Sequence, residues 1–326
     1  MFPVERPRRL RRSAALRRLV AETSLSAGDL IAPLFVAQSL DEPKAILSLP
    51  GQFQHTVSSL IDEARRCHAA GVGGIILFGV PSVKDDIGSG AFDENGIAQV
   101  ALRALRDEFG DELVVMADLC LDEYTSHGHC GVLSDHGTVD NDATLELYAR
   151  VAVAQATAGA QIVAPSGMMD GQVGAIRSAL DSAGFLDTVI LAYAAKYASA
   201  LYGPFREAVD VQIGDGGDRR GYQQDPSNRR EALREARADV VQGADIIMVK
   251  PAMTYLDIVS DLRRELDVAL CAYHVSGEYA MVRAAAANGW IDGDAVALEQ
   301  LLAVRRAGAD FVLTYFARDF AERLLS

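Results

Sequence analysis

The chain has 326 residues, half of them hydrophobic, and carries a net charge of −14. That size suits one large α/β domain or two small ones, with apolar residues enough for a sizeable core. The acidic balance argues against general nucleic-acid binding, no apolar run approaches the roughly 18 residues of a membrane span, and no apolar signal-peptide core opens the chain. The cysteines, Cys67, Cys120, Cys130 and Cys271, are too few for a disulfide scaffold in a chain this long, so a reducing, cytoplasmic setting is expected.

Residues 1–28 stand apart from the rest. Arg6, Arg8, Arg9, Arg11, Arg12, Arg17 and Arg18 crowd a short segment that also holds Pro3 and Pro7. Such a run serves as a nucleic-acid arm, a targeting peptide or a contact arm for an acidic partner. Because the remaining chain is acidic, an arm gripping a second copy of the same protein is the favoured reading.

From residue 30 onward a βα rhythm sets in. Strand-like apolar runs appear at Leu30–Val36, Gly74–Phe78, Leu113–Ala117, Gln161–Ala164, Thr188–Tyr193, Asp245–Val249, Ala269–Tyr273 and Asp310–Thr314. Helical stretches alternate with them at His55–Ala70, Ile97–Phe109, Asp142–Ala158, Gly171–Ser182, Asn228–Gln242, Tyr255–Leu266, Glu278–Asn288 and Asp294–Ala307. Gly71, Gly159, Gly243 and Gly308 each close a helix before a strand, where a left-handed residue is needed. The alternation predicts a (β/α)8 TIM barrel over 29–326 with catalytic groups at the strands' C-terminal ends. A doubly wound open sheet is the alternative. No G-x-G-x-x-G follows the first strand and no P-loop is present, which weakens its nucleotide-binding versions.

Lysine is scarce. Of 31 basic residues only Lys44, Lys84, Lys196 and Lys250 are lysines. A guanidinium is never a neutral nucleophile, so the remaining lysines are candidates for work that arginine cannot do. Lys44 and Lys84 sit among acidic and loop residues and read as solvated charges. Lys250 ends the run Asp245–Val249, and Lys196 follows the run that ends at Tyr193. Burial at a strand end disfavours the ammonium form and prepares an amine for Schiff-base chemistry.

Two connections are long, Asp118 to about Asn141 and Ala194 to about Ser227, and long loops in a compact domain are commonly functional. The first contains Asp118, Cys120, Asp122, His127, His129 and Cys130, a density of thiolate, imidazole and carboxylate that suits a metal. The second carries Lys196, Arg206, Arg219 and Arg220, with Gly214, Gly216 and Gly217 as hinge candidates. It reads as a lid for an anionic substrate.

The stretch Asp118–Leu133 resembles the metal-loop signature of the porphobilinogen synthase (5-aminolevulinate dehydratase) family. Further segments resemble it in the same order: Arg6–Arg11, Ala164–Val173, Tyr202–Ala208, Asn228–Ala232, Met248–Ala252, Val275–Ala280 and Tyr315–Ala317. The resemblance implies a (β/α)8 barrel with an N-terminal arm, a homo-octamer, and condensation of two 5-aminolevulinate molecules into porphobilinogen with loss of two waters. It implies that Lys250 forms a Schiff base with the first substrate and Lys196 with the second. Asp118 would assist proton transfer. Arg206, Arg219 and Gln223 would clamp one substrate carboxylate, and Ser276 and Tyr315 would bind the other. Cys120, Asp122 and Cys130 would hold zinc, although Asp122 stands where zinc-dependent members have a third cysteine. Glu235, with Asp170 beside it, matches an allosteric magnesium site.

Two other classes compete. A class I aldolase would use one Schiff-base lysine and no metal. A non-catalytic, metal-binding oligomeric scaffold would do no imine chemistry.

Overall fold

The structure is a computed structural model that describes residues 4–214 and 218–325. Its strands are β1 (Leu30–Ala37), β2 (Lys44–Ala45), β3 (Phe53–His55), β4 (Gly74–Val80), β5 (Val114–Leu119), β6 (Ile162–Pro165), β7 (Val189–Lys196), β8 (Ile246–Lys250), β9 (Ala269–His274) and β10 (Phe311–Thr314). Eight of them, β1 and β4 to β10, pair in parallel and in sequence, and β10 closes on β1 with Leu30 opposite Val312. This is the expected TIM barrel. Its strands are buried on both faces, which is why they read as continuous apolar runs rather than as alternation.

The helices are α1 (Ala14–Leu19), α2 (Val57–Ala69), α3 (Ile97–Phe109), α4 (Asn141–Thr157), α5 (Gln172–Ser182), α6 (Gly203–Ala208), α7 (Arg230–Gln242), α8 (Leu256–Glu265), α9 (Ser276–Ala287), α10 (Gly293–Ala307) and α11 (Ala317–Leu325). Side-chain caps set several starts: Thr56 accepts from Ser59 N ahead of α2, and Asp140 accepts from Ala143 N ahead of α4. Gly71, Gly159, Gly243 and Gly308 have φ of 78°, 103°, 107° and 127°, as their place after a helix requires.

Three elements were not anticipated. The β2–β3 hairpin extends the sheet from β1, α6 opens the second long loop, and α11 packs on α2 and β1. The hairpin strands are two and three residues long, too short for a periodic signal. The arm carries a short 3-10 turn (Pro7–Arg11) and α1, neither of which buries a residue. Gly216 and Gly217 lie outside the described residues; Gly214 is described and meets no neighbour. Among the described residues no helix is long and apolar enough to cross a membrane.

Candidate active site

The parallel register of β7 and β8 sets Lys196 directly beside Lys250 at the C-terminal face of the barrel. Both are buried, with 4% and 5% of their surface exposed. Lys250 is surrounded by rings: its Nζ lies 4.5 Å from the Tyr273 centroid, 5.1 Å from Phe205 and 5.2 Å from both Tyr193 and Tyr202. Ring faces attract a cation. Burial, followed by the charge of Lys196, outweighs them and lowers the Lys250 pKa to about 7.

Lys196 differs from expectation. Burial pulls its pKa down, but negative charge on the sulfurs of Cys130 and Cys120 and on the Asp122 carboxylate pulls harder, and the net shift is upward. Its Nζ donates to the Ser166 carbonyl at 2.5 Å. The Ser166 hydroxyl in turn donates to Asp118 Oδ2 at 3.1 Å. Asp118 is pushed up to about 6 by burial, against the pull of Lys196. Its Oδ1 is buried without a hydrogen-bond partner. A lysine that holds its proton thus lies one serine away from a carboxyl that can change charge near neutrality.

The metal loop closes over the same face. One ligand atom each from Cys120, Asp122 and Cys130 lies within 4.8 Å of the others, and all three residues are buried. Two thiolates and one carboxylate leave a fourth position open, a donor set that fits catalytic zinc. Tyr148 steadies the group, donating to the Cys130 carbonyl at 2.7 Å with its hydroxyl 3.7 Å from Cys120 Sγ. Gly167 makes room for that hydroxyl, because a Cβ there would run into it. Burial raises the Cys120 thiol well up. Burial raises Cys130 too, but a hydrogen bond from Cys120 and the charge of Arg219 bring it down to about 7. His127 and His129 do not join the three ligands: His127 faces the Asp86 carbonyl, and His129 the Tyr222 hydroxyl.

The lid meets this loop. Arg219 Nη2 is 2.7 Å from Asp122 Oδ2 and donates to the Gly128 carbonyl at 2.9 Å. Its Nε, and Nε2 of Gln223 one turn later, are buried donors without partners. Two such donors on one segment suit a carboxylate. Arg206 is exposed and lines a cavity of about 540 Å³ with Lys84, Thr125 and Ser126. Lys84 is not a free solvated charge, since it is half-buried and donates to the Asp210 carbonyl at 2.8 Å. Lys44 is exposed, as expected.

Across the barrel mouth, Tyr315 OH is 3.1 Å from Tyr273 OH. Ser276 Oγ accepts from Phe205 N at 3.1 Å and contacts the Leu201 carbonyl at 3.3 Å. Glu235 lies apart on α7, half-buried, and its pKa is raised by burial and by the charges of Asp170 and Glu231. Asp239, one turn on, is pushed up to about 7 by burial and by Glu235.

A family model described as delta-aminolevulinic acid dehydratase matches residues 4–323. The chain belongs to the delta-aminolevulinic acid dehydratase family. The delta-aminolevulinic acid dehydratase of Mycobacterium tuberculosis is 60% identical over 322 residues, covering 98% of this chain and 97% of that protein. The Streptomyces coelicolor enzyme is 56% identical over 325 residues, covering 99% and 98%. The crystal structure of the Toxoplasma gondii enzyme, in complex with the reaction product porphobilinogen, superposes with a TM-score of 0.97 at 43% identity, covering 99% of this chain and 92% of that one.

Several members of this dehydratase site escaped sequence reading. Tyr193, Tyr202, Phe205 and Tyr273 build the ring box around Lys250. Ser166 links Lys196 to Asp118. Buried Glu123, its pKa raised by burial and by Asp122, adds a further carboxyl to the metal loop. Tyr193 and Tyr273 carried a signal, since each is an aromatic residue near the C-terminal end of a barrel strand.

Proposed function

We propose that the chain condenses two molecules of 5-aminolevulinate into porphobilinogen, with loss of two waters, as a lyase of tetrapyrrole biosynthesis. The observation that carries this reading is the pair of neighbouring buried lysines, one with its pKa lowered to about 7 and one with it raised, at the mouth of a barrel whose family makes that product.

Lys250 supplies the first nucleophile. Its neutral amine adds to the ketone of one substrate, and the ketone oxygen leaves as water when the C=N bond forms. The ring box excludes water and favours the positive charge that appears on the iminium. Ser276 and Tyr315 hold that substrate's carboxylate through their hydroxyls. Lys196 must lose its proton before it can form the second imine; Asp118, linked to it by Ser166, receives a proton and later returns one. Arg219 and Gln223 turn their free donors to the second carboxylate, with Arg206 at the outer edge. The second ketone oxygen leaves as the second water when the Lys196 imine forms, and both lysine amines are released again as the ring of the product is made.

Zinc held by Cys120, Asp122 and Cys130 would supply Lewis-acid polarisation of a substrate oxygen or of water. Magnesium at Glu235, beside Asp170, would act at a distance; a hard cation with few carboxylates and several waters is ordinary for that ion. The basic arm, with no residue buried against its own barrel, is assigned to a second copy, and a homo-octamer is the assembly we propose. A cytoplasmic setting suits four buried free cysteines.

The experiment is incubation with 5-aminolevulinate and borohydride, followed by peptide mass analysis and a porphobilinogen colour assay with and without chelator. Reduced adducts on the peptides of Lys250 and Lys196, together with product, are expected. Adduct on a single lysine without product would favour an aldolase, and no adduct at all would leave a scaffold.

A further inference from the structure

Asp122 has two claims on one carboxylate. It belongs to the three-residue group at the metal loop, and it makes a buried ion pair of 2.7 Å with Arg219 of the lid. The arginine does not approach from outside. Its Nη2 also donates to the Gly128 carbonyl, between His127 and His129, so the guanidinium is seated within the loop that carries Cys120 and Cys130. Its charge acts on Asp122, Cys130 and Cys120 alike. Tyr222 adds a second link from lid to loop, its hydroxyl accepting from Cys130 N at 3.4 Å.

A dication bound by these three groups would stand a few ångströms from that guanidinium, in a place where water screens little. One carboxylate cannot neutralise both. Drawing Arg219 off Asp122 leaves a buried charge in need of a new partner, which opposes metal entry. The opposition is reciprocal by thermodynamic necessity: whatever the pair costs the metal, the metal costs the pair.

We infer that Asp122 is a switch between metal and lid, for which a metal at Cys120, Asp122 and Cys130 competes with Arg219. Without metal the lid is latched to the loop by Arg219 and Tyr222. With metal the latch is released and Arg219 is freed for the substrate carboxylate. A chain with cysteine at this position would lack the carboxylate that makes the latch. The inference rests on the proposed reading of this loop as a metal centre, but not on turnover.

The test is a cobalt(II) titration of metal-free, full-length protein, followed by thiolate-to-cobalt absorption, which reports cysteine ligation whether or not the enzyme turns over. Arg219→Gln should bind cobalt ~10-fold or more tightly than the unaltered protein. Arg219→Lys, which keeps the charge, should stay near the unaltered affinity. Amide exchange of the segment around Tyr222 and Gln223 should quicken when cobalt saturates the unaltered protein. Equal or weaker cobalt binding by Arg219→Gln, equal tightening by Arg219→Lys, or slower exchange with cobalt would each overturn the competition while leaving the metal centre standing. Absence of thiolate absorption in all three proteins would overturn the metal centre and the competition together.

Discussion

Replacing Lys250 with methionine should abolish turnover and stabilise the protein. The lysine's pKa falls from 10.5 to about 7, chiefly because burial strips water from the ammonium and then because Lys196 stands beside it. Each tenfold change in proton affinity is worth about 1.4 kcal/mol, so the buried ammonium costs the fold at most about 5 kcal/mol. The side chain is only 5% exposed, so solvent screening does little to reduce that figure. The folded protein holds this proton more weakly than the unfolded chain does. Stability therefore rises with pH between about 7 and 10.5, and the full cost is carried below that window. Methionine fills similar space without a charge. Thermal melts at fixed protein concentration should show the variant roughly 10 °C more stable near neutrality, with the gap closing as pH approaches 10.5. A gap that does not change with pH, or a variant less stable at neutrality, would refute the reasoning. The same depression gives Lys250 about a thousandfold more neutral amine at pH 7 than an ordinary lysine, which is the kinetic return on the stability lost.

Five further outcomes are expected. Lys250→Arg should be inactive, because it keeps a charge and cannot form an imine, and borohydride should then leave position 250 unlabelled. Asp118→Asn should lower kcat by ~100-fold or more and remove an ionisation near pH 6 from the pH–rate profile, since burial raises that carboxyl to about 6. The folded state binds this proton more tightly, so Asp118's contribution to stability is lost as pH rises through about 6, and melts of the Asn variant should lack that decline. Removing residues 1–28 should give smaller assemblies by light scattering, and Glu235→Ala should remove a magnesium response while leaving cobalt absorption at the cysteines unchanged. Asp122→Cys should hold zinc more tightly against a chelator, because a thiolate donates more charge to zinc than a carboxylate does.

The barrel was legible because its strands are short, apolar and bounded by glycines. Every strand-like run lies within a few residues of an observed strand, and the largest difference, at β7, carries that strand on to Lys196 itself. The lysines were legible for a different reason: in a chain that otherwise uses arginine, their scarcity marked them. What sequence could not supply was pairing across distance. Arg219 pairs with Asp122, Arg283 with Asp319 and Arg318 with Glu63, and in each pair the partners come from separate stretches of chain. Lys84 looked solvated because its neighbours in sequence are acidic, yet its contact is the Asp210 carbonyl far downstream. Lys196 looked neutral because it follows an apolar run, yet the metal loop folds over it and supplies negative charge.

Under the mechanism we propose, that last difference orders the reaction. Register places the two lysines side by side, and two ammonium groups so close in a dry site oppose each other. One must give up its proton more easily. Negative charge on the sulfurs and carboxylate of the metal loop holds the proton on Lys196, while Lys250, lowered by burial and by the Lys196 charge, yields. The neutral amine reacts first. Its iminium then replaces the ammonium as the second positive charge, and the rings that surround it favour that charge. Lys196 now feels a permanent cation beside it, which weakens its hold on its own proton just as the second substrate arrives. In the proposed mechanism Asp118, near pKa 6 and within reach of the Lys196 charge, is the group that receives that proton. The sequence of substrate capture thus follows from which lysine the acidic loop covers, and moving negative charge from that loop to the ring box would reverse it.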